Sequence, residues 1–170
     1  AGISDLVLDV RYNGGGYLDV ASELAYMIAG PQVTTGKTFE QVLFNDKTRP
    51  KAPVPFHAQS QGFPGPNPLP KGTPLPSLGL TRVTLLTTGN TCSASEAIIN
   101  GLRGVNVQVN LIGGTTCGKP YGFYPAPNCG TTYFAVQFQG VNAKGFGDFA
   151  DGMAPTCDVA DDYQHQLGDA

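Results

Sequence analysis

Residues 5–30 read DLVLDVRYNGGGYLDVASELAYMIAG, and this stretch indicates the fold class. The apolar run at 5–10 has the length and composition of a short buried strand. The three glycines at 14–16 can adopt backbone angles closed to other residues and can bring their N–H groups close to a ligand. Between 19 and 29, apolar residues recur at helical spacing, with Asp19 as the predicted N-cap and Gly30-Pro31 as the stop signal. A strand, a glycine turn and a helix make half of a β-α-β unit, so the stretch predicts an α/β fold.

The rest of the chain continues the same alternation. We predict a second helix over 95–103 and strands over 37–45, 82–88, 107–112 and 131–141, the last one long and alternating. Nine of the fourteen prolines lie between Pro50 and Pro76, so residues 50–78 are predicted to form a Pro-rich irregular loop. Residues 1–170 are expected to form one domain, with a mixed sheet and flanking helices around that loop.

The composition limits the classes of partner. The chain has 10 Lys and Arg residues against 13 Asp and Glu residues, a formal net charge of −3. Nucleic acids and anionic membranes select basic surfaces, so neither is an expected partner. No run of about 18 apolar residues is present, so no membrane-spanning segment is predicted. The first ten residues lack the pattern of a signal peptide, and any export signal is expected to lie outside this chain.

Histidines and cysteines limit the classes of cofactor and the cell compartment. His57 and His165 both lie in polar surroundings, so we expect neither a metal centre nor another cofactor. Two disulfides are one interpretation of the cysteines and would place the protein outside the cytoplasm. Reduced, buried cysteines are the other interpretation. The four cysteines, which lack the C-x-x-C spacing of zinc and thioredoxin sites, are Cys92, Cys117, Cys129 and Cys157.

One glycine-marked corner carries a serine suited to acyl transfer. Ser93 follows the strand predicted at 82–88 and precedes the helix predicted at 95–103. Unpaired N–H groups and the helix dipole favour developing negative charge at this position, so Ser93 suits a nucleophile and the Ala94 N–H suits an oxyanion. The competing interpretation is that Ser93 or Ser95 caps the helix, with Glu96 as an acid of the first turn.

Another glycine-marked corner carries a lysine. A serine nucleophile needs a base, and neither histidine lies near a corner. Lys119 lies within the corner 116–122 among small and apolar residues, with no acidic residue nearby in sequence. A desolvated lysine without an acidic partner is more readily neutral, and the neutral amine accepts a proton. The competing interpretation is an exposed loop lysine. The glycine spacing does not fit a Walker-type phosphate loop.

Four segments, taken in order, resemble one family, the C-terminal processing or tail-specific serine proteases. LDVRYNGGGYLD at 8–19 resembles their strand-to-helix signature, and CSASE at 92–96 resembles their nucleophile segment. TCGK at 116–119 resembles their lysine segment, and DGMAP at 151–155 resembles the segment near the end of their catalytic core. The resemblance implies a crotonase-like α/β catalytic core without the PDZ domain that many members carry. We expect this core to be incomplete at both ends of the chain.

The resemblance also implies a site. Ser93 would be the nucleophile and Lys119 the general base, with the backbone N–H groups of Gly15 and Ala94 as the oxyanion hole. The implied reaction is hydrolysis of peptide bonds in protein substrates through an acyl-enzyme, with no metal or cofactor. A non-catalytic module that binds a ligand or peptide on the same fold is the alternative function.

Several details depart from the family or remain open. Phe123 occupies a position where many members have a glutamine, which leaves Tyr121 and Gln137 as candidates to orient the dyad. Disulfides beside Ser93 and Lys119 would hold both segments in place. We predict that Cys117 pairs with Cys129 and Cys92 with Cys157, and the other pairings stay open.

Overall fold

A computed structural model describes residues 2–160 and residue 162 of the chain. Parallel and antiparallel sheets occur together with helices, which confirms the predicted mixed α/β class. In chain order the elements are β1 (Val7–Asp9), α1 (Leu18–Ala29), α2 (Pro31–Thr34), β2 (Thr38–Phe44), β3 (Val54–Pro55), β4 (Arg82–Thr87), α3 (Ala94–Gly104), β5 (Gln108–Gly113), β6 (Tyr121–Gly122), β7 (Ala126–Asn128), β8 (Thr131–Tyr133), β9 (Phe138–Val141) and β10 (Cys157–Asp158).

The first sheet is parallel, with the strand order β1-β4-β5-β10. Leu85 of β4 and Leu111 of β5 lie opposite each other, and both are 0% exposed, so the two central strands carry the core. The strand predicted at 5–10 is present, but the prediction that it is buried is wrong, because Val7 is 62% exposed. β1 is an edge strand of three residues and, within the described residues, pairs on one side only.

Two helices cover this sheet and pack against each other. The helices predicted at 19–29 and 95–103 are confirmed as α1 and α3, and Ile99 and Leu102 of α3 are 0% exposed. The predicted N-cap of α1 is wrong, because the cap position belongs to Tyr17 and Asp19 lies inside the first turn. The carboxyl group of Asp19 is bonded to the His57 ring at 2.8 Å, so it does not cap the helix.

The second sheet is antiparallel, with the order β3-β2-β9-β6. β2 confirms the strand predicted at 37–45 and pairs with β9 from Gln41↔Val141 to Phe44↔Phe138. The single long strand predicted over 131–141 is wrong, because regular pairing stops after Tyr133 and resumes at Phe138. The two halves have different partners: β8 pairs with β7, whereas β9 lies between β2 and β6.

Residues 50–78 contain little regular structure, namely β3 and one isolated bridge between Gln59 and Pro74. The segment is nevertheless attached to α1. Ser22 Oγ donates to the carbonyl oxygen of Pro55 at 2.6 Å, and the Gln61 N–H donates to Glu23 at 2.6 Å. This attachment brings β3 and His57 beside the N-terminal half of α1.

The parallel sheet places three connecting segments at one edge. β1, β4 and β5 run in the same direction, so the segments 10–17, 88–93 and 114–120 that follow them all lie at the carboxyl ends of the strands. In open α/β sheets this edge is where sites are built. Within the described part of the chain, no helix has the length and apolar character required to span a bilayer.

Candidate active site

The segments 10–17, 88–93 and 114–120 form the first, second and third corners at the carboxyl edge of the parallel sheet, and hydrogen bonds join them. The Cys92 N–H donates to the carbonyl oxygen of Asn13 at 3.1 Å, and the Cys117 N–H donates to that of Thr91 at 3.0 Å. Thr91 Oγ1 donates to the carbonyl oxygen of Val10 at 2.8 Å and is fully buried. The second corner is therefore hydrogen-bonded to both the first and the third.

Ser93 occupies the N-cap position of α3 in an unusual backbone conformation, with φ 56° and ψ −114°. Positive φ is uncommon for a residue with a side chain, and Ser93 shares it only with Asn106 and Cys129 among the described non-glycine residues. Such conformations persist where the surrounding structure over-determines them, and they cluster at functional sites. Ser95, the other candidate cap, lies inside α3 and bonds the side chain of Asn13 at 2.8 Å.

The first corner presses directly against Ser93. A Cβ atom built on Gly15 would lie 2.8 Å from Ser93 Cβ and 3.1 Å from the Ala94 nitrogen, and the φ of Gly15 is +111°. No other residue type fits this position without displacing the nucleophile segment. The Gly15 N–H donates to Asn13 Oδ1 at 2.9 Å, so an oxyanion would have to replace that partner. The neighbouring Gly16 lines the cleft described below.

Glu96 holds the nucleophile segment and the lysine segment together from below. Its side chain is 0% exposed, and one carboxyl oxygen accepts from Thr116 Oγ1 at 2.6 Å and from the Gly118 N–H at 2.8 Å. The other oxygen accepts from the N–H groups of Ser93 and Lys119, both at 2.9 Å. One buried carboxyl group thus fixes the backbone of both predicted catalytic residues. The sequence carried a signal for this role, because an acid three residues after a serine is the spacing of a capping box.

A cleft of about 440 Å³ opens above this arrangement. It brings together Ser93, Ala94 and Lys119, which lie on two different corners. The remaining lining residues come from the first corner, α1, β2, β3, α3, the segment around β6, β9 and the loop after it. They are Gly16, Tyr17, Leu18, Asp19, Glu40, Val54, Ala97, Pro120, Tyr121, Gly122, Phe123, Tyr124, Pro125, Phe138 and Phe149.

Lys119 is exposed on the wall of the cleft. The desolvated environment expected for it is therefore wrong in this arrangement, because the cleft is open on the side of Lys119. Its ammonium group lies 5.3 Å from the centroid of the Phe123 ring, within the range of a cation–π contact. Among the described residues, no carboxyl group lies within ion-pair distance of Lys119 Nζ.

The candidates for orienting the dyad fall in different places. Tyr121 lines the cleft together with Phe123, whereas Gln137 is exposed and is not among the lining residues. The Gln137 N–H donates to the carbonyl oxygen of Gly122 at 2.9 Å, which ties it to the end of β6. Gln139, on β9, bonds the carbonyl oxygen of Gly147 through its side chain at 2.8 Å.

Sequence reasoning missed Glu40. It lies on β2, is 7% exposed, and lines the same cleft as Ser93 and Lys119. Burial alone raises the pKa of this carboxyl group to about 7. The sequence carries a weak signal for the burial of Glu40. Side chains two residues apart on a strand lie on the same face, so Glu40 lies on the same face as the buried Val42.

Asp19 and His57 form a second polar group that was not predicted to lie at the site. Asp19 lines the cleft, and its carboxyl oxygen lies 2.8 Å from His57 Nε2. His57 comes from the segment 50–78, which sequence analysis treated as an irregular loop. Their separation of 38 residues leaves no sequence signal for the contact.

The predicted disulfide pairing is wrong. The structure joins Cys92 to Cys117, with their Cα atoms 5.3 Å apart, and Cys129 and Cys157 are exposed and unpaired in the described ranges. The reason is the meeting of the second and third corners, where the Cys117 N–H also bonds the residue before Cys92. The disulfide still joins the nucleophile segment to the lysine segment.

The donor set does not form a metal site in the part of the chain that is described. No group of three or more His, Cys, Asp or Glu side chains there is arranged to hold an ion. The groups that converge on the cleft are a hydroxyl, an amine, carboxyl groups and backbone N–H groups, which suit acid–base and nucleophilic chemistry.

Solved structures share this arrangement of elements. A Bacteroides fragilis NCTC 9343 protein assigned to the S41 proteases is 29% identical with a TM-score of 0.74, over 94% of this chain and 38% of its own. A photosystem II D1 C-terminal processing protease is 18% identical with a TM-score of 0.60, over 94% of this chain and 35% of its own. A lipoprotein from Streptococcus agalactiae is 15% identical with a TM-score of 0.58, over 92% and 50%. The last two show the fold alone.

The sequence itself carries the family assignment. No curated protein matches the chain. The chain spans 38% of the length of the Bacteroides fragilis protein. Residues 1–127, three quarters of the chain, match the profile of peptidase family S41 and include the first, second and third corners. The chain therefore belongs to peptidase family S41.

Proposed function

We propose that this chain carries the catalytic site of a serine peptidase that hydrolyses peptide bonds in protein or peptide substrates. The observation that carries the proposal is the strained Ser93 at the N-terminus of α3, in one cleft with Lys119 and tied to it through Glu96. Family membership supports the reaction class. The fold class that goes with the proposal is crotonase-like.

In the proposed reaction, the neutral amine of Lys119 accepts the proton of Ser93 Oγ as this oxygen attacks the scissile carbonyl carbon. The tetrahedral intermediate collapses, and the protonated amine donates its proton to the leaving nitrogen. Water then attacks the acyl carbon while Lys119 accepts a proton from it. The ammonium group returns this proton to Ser93 Oγ as the acyl–oxygen bond breaks, and the second product leaves as a carboxylic acid.

We propose that the negative charge of the intermediate is stabilised by two backbone N–H groups. One belongs to Ala94, the first residue of α3, where the helix dipole adds to the effect. The other belongs to the first corner, where Gly15 contacts Ser93 and Gly16 lines the cleft. The Gly15 N–H is the donor predicted from sequence, and it would exchange Asn13 Oδ1 for the oxyanion.

The same site also bears on the cell compartment that we propose. The disulfide between Cys92 and Cys117 supports a location outside the cytoplasm, because disulfides persist in oxidising compartments. A peptidase there would meet unfolded or exported polypeptides.

The test of the dyad compares the full-length protein with its Ser93→Ala and Lys119→Met variants on an unfolded protein substrate. We expect each variant to lose activity by at least about 1,000-fold, because the nucleophile and its base act as a unit. A serine-reactive fluorophosphonate should label the wild type and not Ser93→Ala. The matched control is Lys47→Met, whose lysine is exposed and pairs with Asp46 away from the cleft.

Undiminished cleavage by either dyad variant would overturn the proposal. Stoichiometric peptide binding by the wild type without any cleavage would favour the alternative, a binding module on the same fold. One observation favours the binding module. The Lys119 amine contacts the ring of Phe123, at the position where many members of the family have a glutamine.

The test of the first corner compares Gly15→Ala with Gly14→Ala. A methyl group at Gly15 would strike Ser93 and the Ala94 nitrogen, whereas one at Gly14 meets no atom within 4 Å. We expect Gly15→Ala to lower kcat by about 100-fold or more, the effect of losing an oxyanion donor, with little change for Gly14→Ala. Equal activity of the two variants would remove the first corner from the oxyanion hole.

A further inference from the structure

Glu40 is a buried carboxyl group with no bonding partner. It is 7% exposed, and no hydrogen bond or ion pair to its carboxyl oxygens is made by any residue in the described ranges. Buried carboxyl groups are ordinarily paired or hydrogen-bonded, because burial without a partner costs free energy. No fully buried side-chain oxygen of the described residues lacks a partner, so the Glu40 carboxyl group is accessible from the cleft, where a ligand can contact it.

The fold leaves space for this carboxyl group. It lies over Gly140 of β9, and a Cβ atom at Gly140 would come within 2.4 Å of Glu40 Cδ and within 2.6 Å of both carboxyl oxygens. Gly140 does not have a positive φ, so no left-handed backbone conformation requires a glycine there. The absent side chain at 140 therefore serves to accommodate Glu40.

The cleft around Glu40 combines apolar walls with acidic charge. Val54, Ala97 and Phe149 supply apolar surface, and Ser93 and Lys119 lie in the same cleft. The other titratable groups along it are Asp19, which is bonded to His57, and three tyrosines, Tyr17, Tyr121 and Tyr124. Of the two carboxyl groups in the cleft, Asp19 is occupied by His57, so Glu40 is the one available to a cationic occupant.

We infer that Glu40 is a specificity-determining residue, which selects a lysine or arginine side chain next to the scissile bond of the substrate. The aliphatic stem of such a side chain contacts the apolar walls, while its charged head donates hydrogen bonds to the Glu40 carboxylate. An acidic side chain is repelled, and a neutral one leaves the carboxyl group buried without a partner. Burial raises the pKa of Glu40 to about 7, and a bound cation would restore the ionised form.

This inference rests on the proposed peptidase activity, so the experiment has a cleavage arm and a binding arm. In the cleavage arm, the full-length protein digests an unfolded protein, and the residues flanking each cut are mapped by mass spectrometry. Two peptides based on a mapped site, with lysine or its uncharged analogue norleucine beside the cut, then give a ratio of kcat/KM values. We expect the wild type to prefer lysine by about 100-fold, and Glu40→Gln to bring the ratio close to one.

Two further variants test whether the effect belongs to Glu40. Glu40→Met removes the polar group while keeping similar volume, and should reverse the preference toward norleucine. Glu23→Gln changes a glutamate that bonds the Gln61 N–H outside the cleft, and should keep the wild-type ratio. Thermal unfolding of every variant shows which are folded, and the Met variant keeps the test valid if Glu40→Gln does not fold.

In the binding arm, the same lysine and norleucine peptides are titrated into Ser93→Ala and into Ser93→Ala combined with Glu40→Gln, with fluorescence anisotropy as the readout. A lysine preference that disappears with Glu40→Gln supports the inference even if the wild type cleaves nothing, a result that would overturn only the proposed function. Three outcomes overturn the inference: no enrichment of basic residues at the cuts, a ratio unchanged by Glu40→Gln, or equal losses on both peptides.

Discussion

Two buried glutamates, Glu40 in the wall of the cleft and Glu96 beneath Ser93, differ in every contact. Glu96, below Ser93, is 0% exposed and accepts four hydrogen bonds, three of them from backbone N–H groups of both catalytic segments. Glu40, on β2, is 7% exposed and has no bonding partner within the described chain. Donors within the protein occupy both carboxyl oxygens of Glu96, whereas the Glu40 carboxyl group lines the cleft without a donor.

The difference shows that burial of a carboxyl group does not define its role, and that its partners do. A carboxyl group whose oxygens are all occupied by protein donors can only hold those donors in place. A carboxyl group surrounded by apolar walls and a glycine has its bonding capacity available to a ligand. We therefore expect the two glutamates to contribute to stability in different ways, and the predictions below run from the largest expected effect on the free energy of unfolding to the smallest.

The largest expected effect is that of Glu96→Gln. A glutamine side chain has one acceptor oxygen, so its amide nitrogen would face one of two donor pairs. These are the N–H groups of Ser93 and Lys119, or the Thr116 hydroxyl and the Gly118 N–H, and the pair on that side would lose its acceptor. We expect the free energy of unfolding to fall by about 3–5 kcal/mol. Because the segments of both catalytic residues would shift, kcat should fall by about 100-fold with a smaller change in KM. Urea unfolding and steady-state kinetics measure both, with Glu23→Gln as the control. Full activity in Glu96→Gln would show that Glu96 does not position the dyad.

The next effect concerns the disulfide that joins the same two segments. Replacing Cys92 and Cys117 by alanine opens a loop with a sequence separation of 25 residues, and should lower the free energy of unfolding by about 3.5 kcal/mol. We expect a smaller loss of kcat than for Glu96→Gln, because the hydrogen bonds to Glu96 still join the segments. The control replaces the exposed Cys129 and Cys157, and should change neither quantity. A larger loss of kcat than that of Glu96→Gln would make the disulfide, not Glu96, the main connection.

The third effect is the pH dependence of stability at Glu40. Burial raises its pKa from 4.5 to about 7, so the folded protein keeps a proton that the unfolded chain has already released in this range. The stability contributed by the protonated carboxyl group is complete below about pH 4.5, and is lost as the pH rises to about 7. Relative to Glu40→Gln, which has no such proton, the free energy of unfolding should fall by about 3 kcal/mol across this window. Parallel curves for the two proteins in urea titrations from pH 4 to 8 would contradict the buried, unpartnered state of Glu40.

The smallest effect is that of Gly140→Ala. The added methyl group would displace the Glu40 carboxyl group, whose end is flexible, and we expect a loss of about 1–2 kcal/mol. The preference for lysine over norleucine should fall at the same time, although residue 140 is not itself among the residues lining the cleft. Gly65→Ala, where the methyl group meets nothing within 4 Å, is the control. A variant that loses stability and keeps its preference would separate Gly140 from the placement of Glu40.

Much of the fold could be predicted because it depends on local patterns. The helices α1 and α3 and the strands β2, β4 and β5 follow from spacing and turn residues, and the corner that carries Ser93 follows from the strand before it and the helix after it. The predictions failed where neighbours in space decide the outcome. β1 is exposed because it is at the edge of the sheet, and the strand predicted at 131–141 divides because its two halves pair with different strands.

The candidate site divides in the same way. Ser93 and Lys119 could be selected as candidates from residue type and the glycine-marked corners, and the resemblance of four segments to one family joined them into a dyad. Three features could not be predicted. The Cys92–Cys117 disulfide and the contact between Asp19 and His57 join residues 25 and 38 positions apart. The exposure of Lys119 depends on how open the cleft is.

The sequence by itself determined the mixed α/β class, the three corners and the family. Helix and strand periodicity, glycine turns and short motifs each involve residues that are close together in the sequence. The tertiary structure alone decided that Glu96 is bonded on every side and that Glu40 is left without a partner in the cleft of Ser93. A carboxyl group looks the same in any sequence. Its role depends on which donors, glycines and apolar walls the folded chain places around it, and most of those come from distant segments.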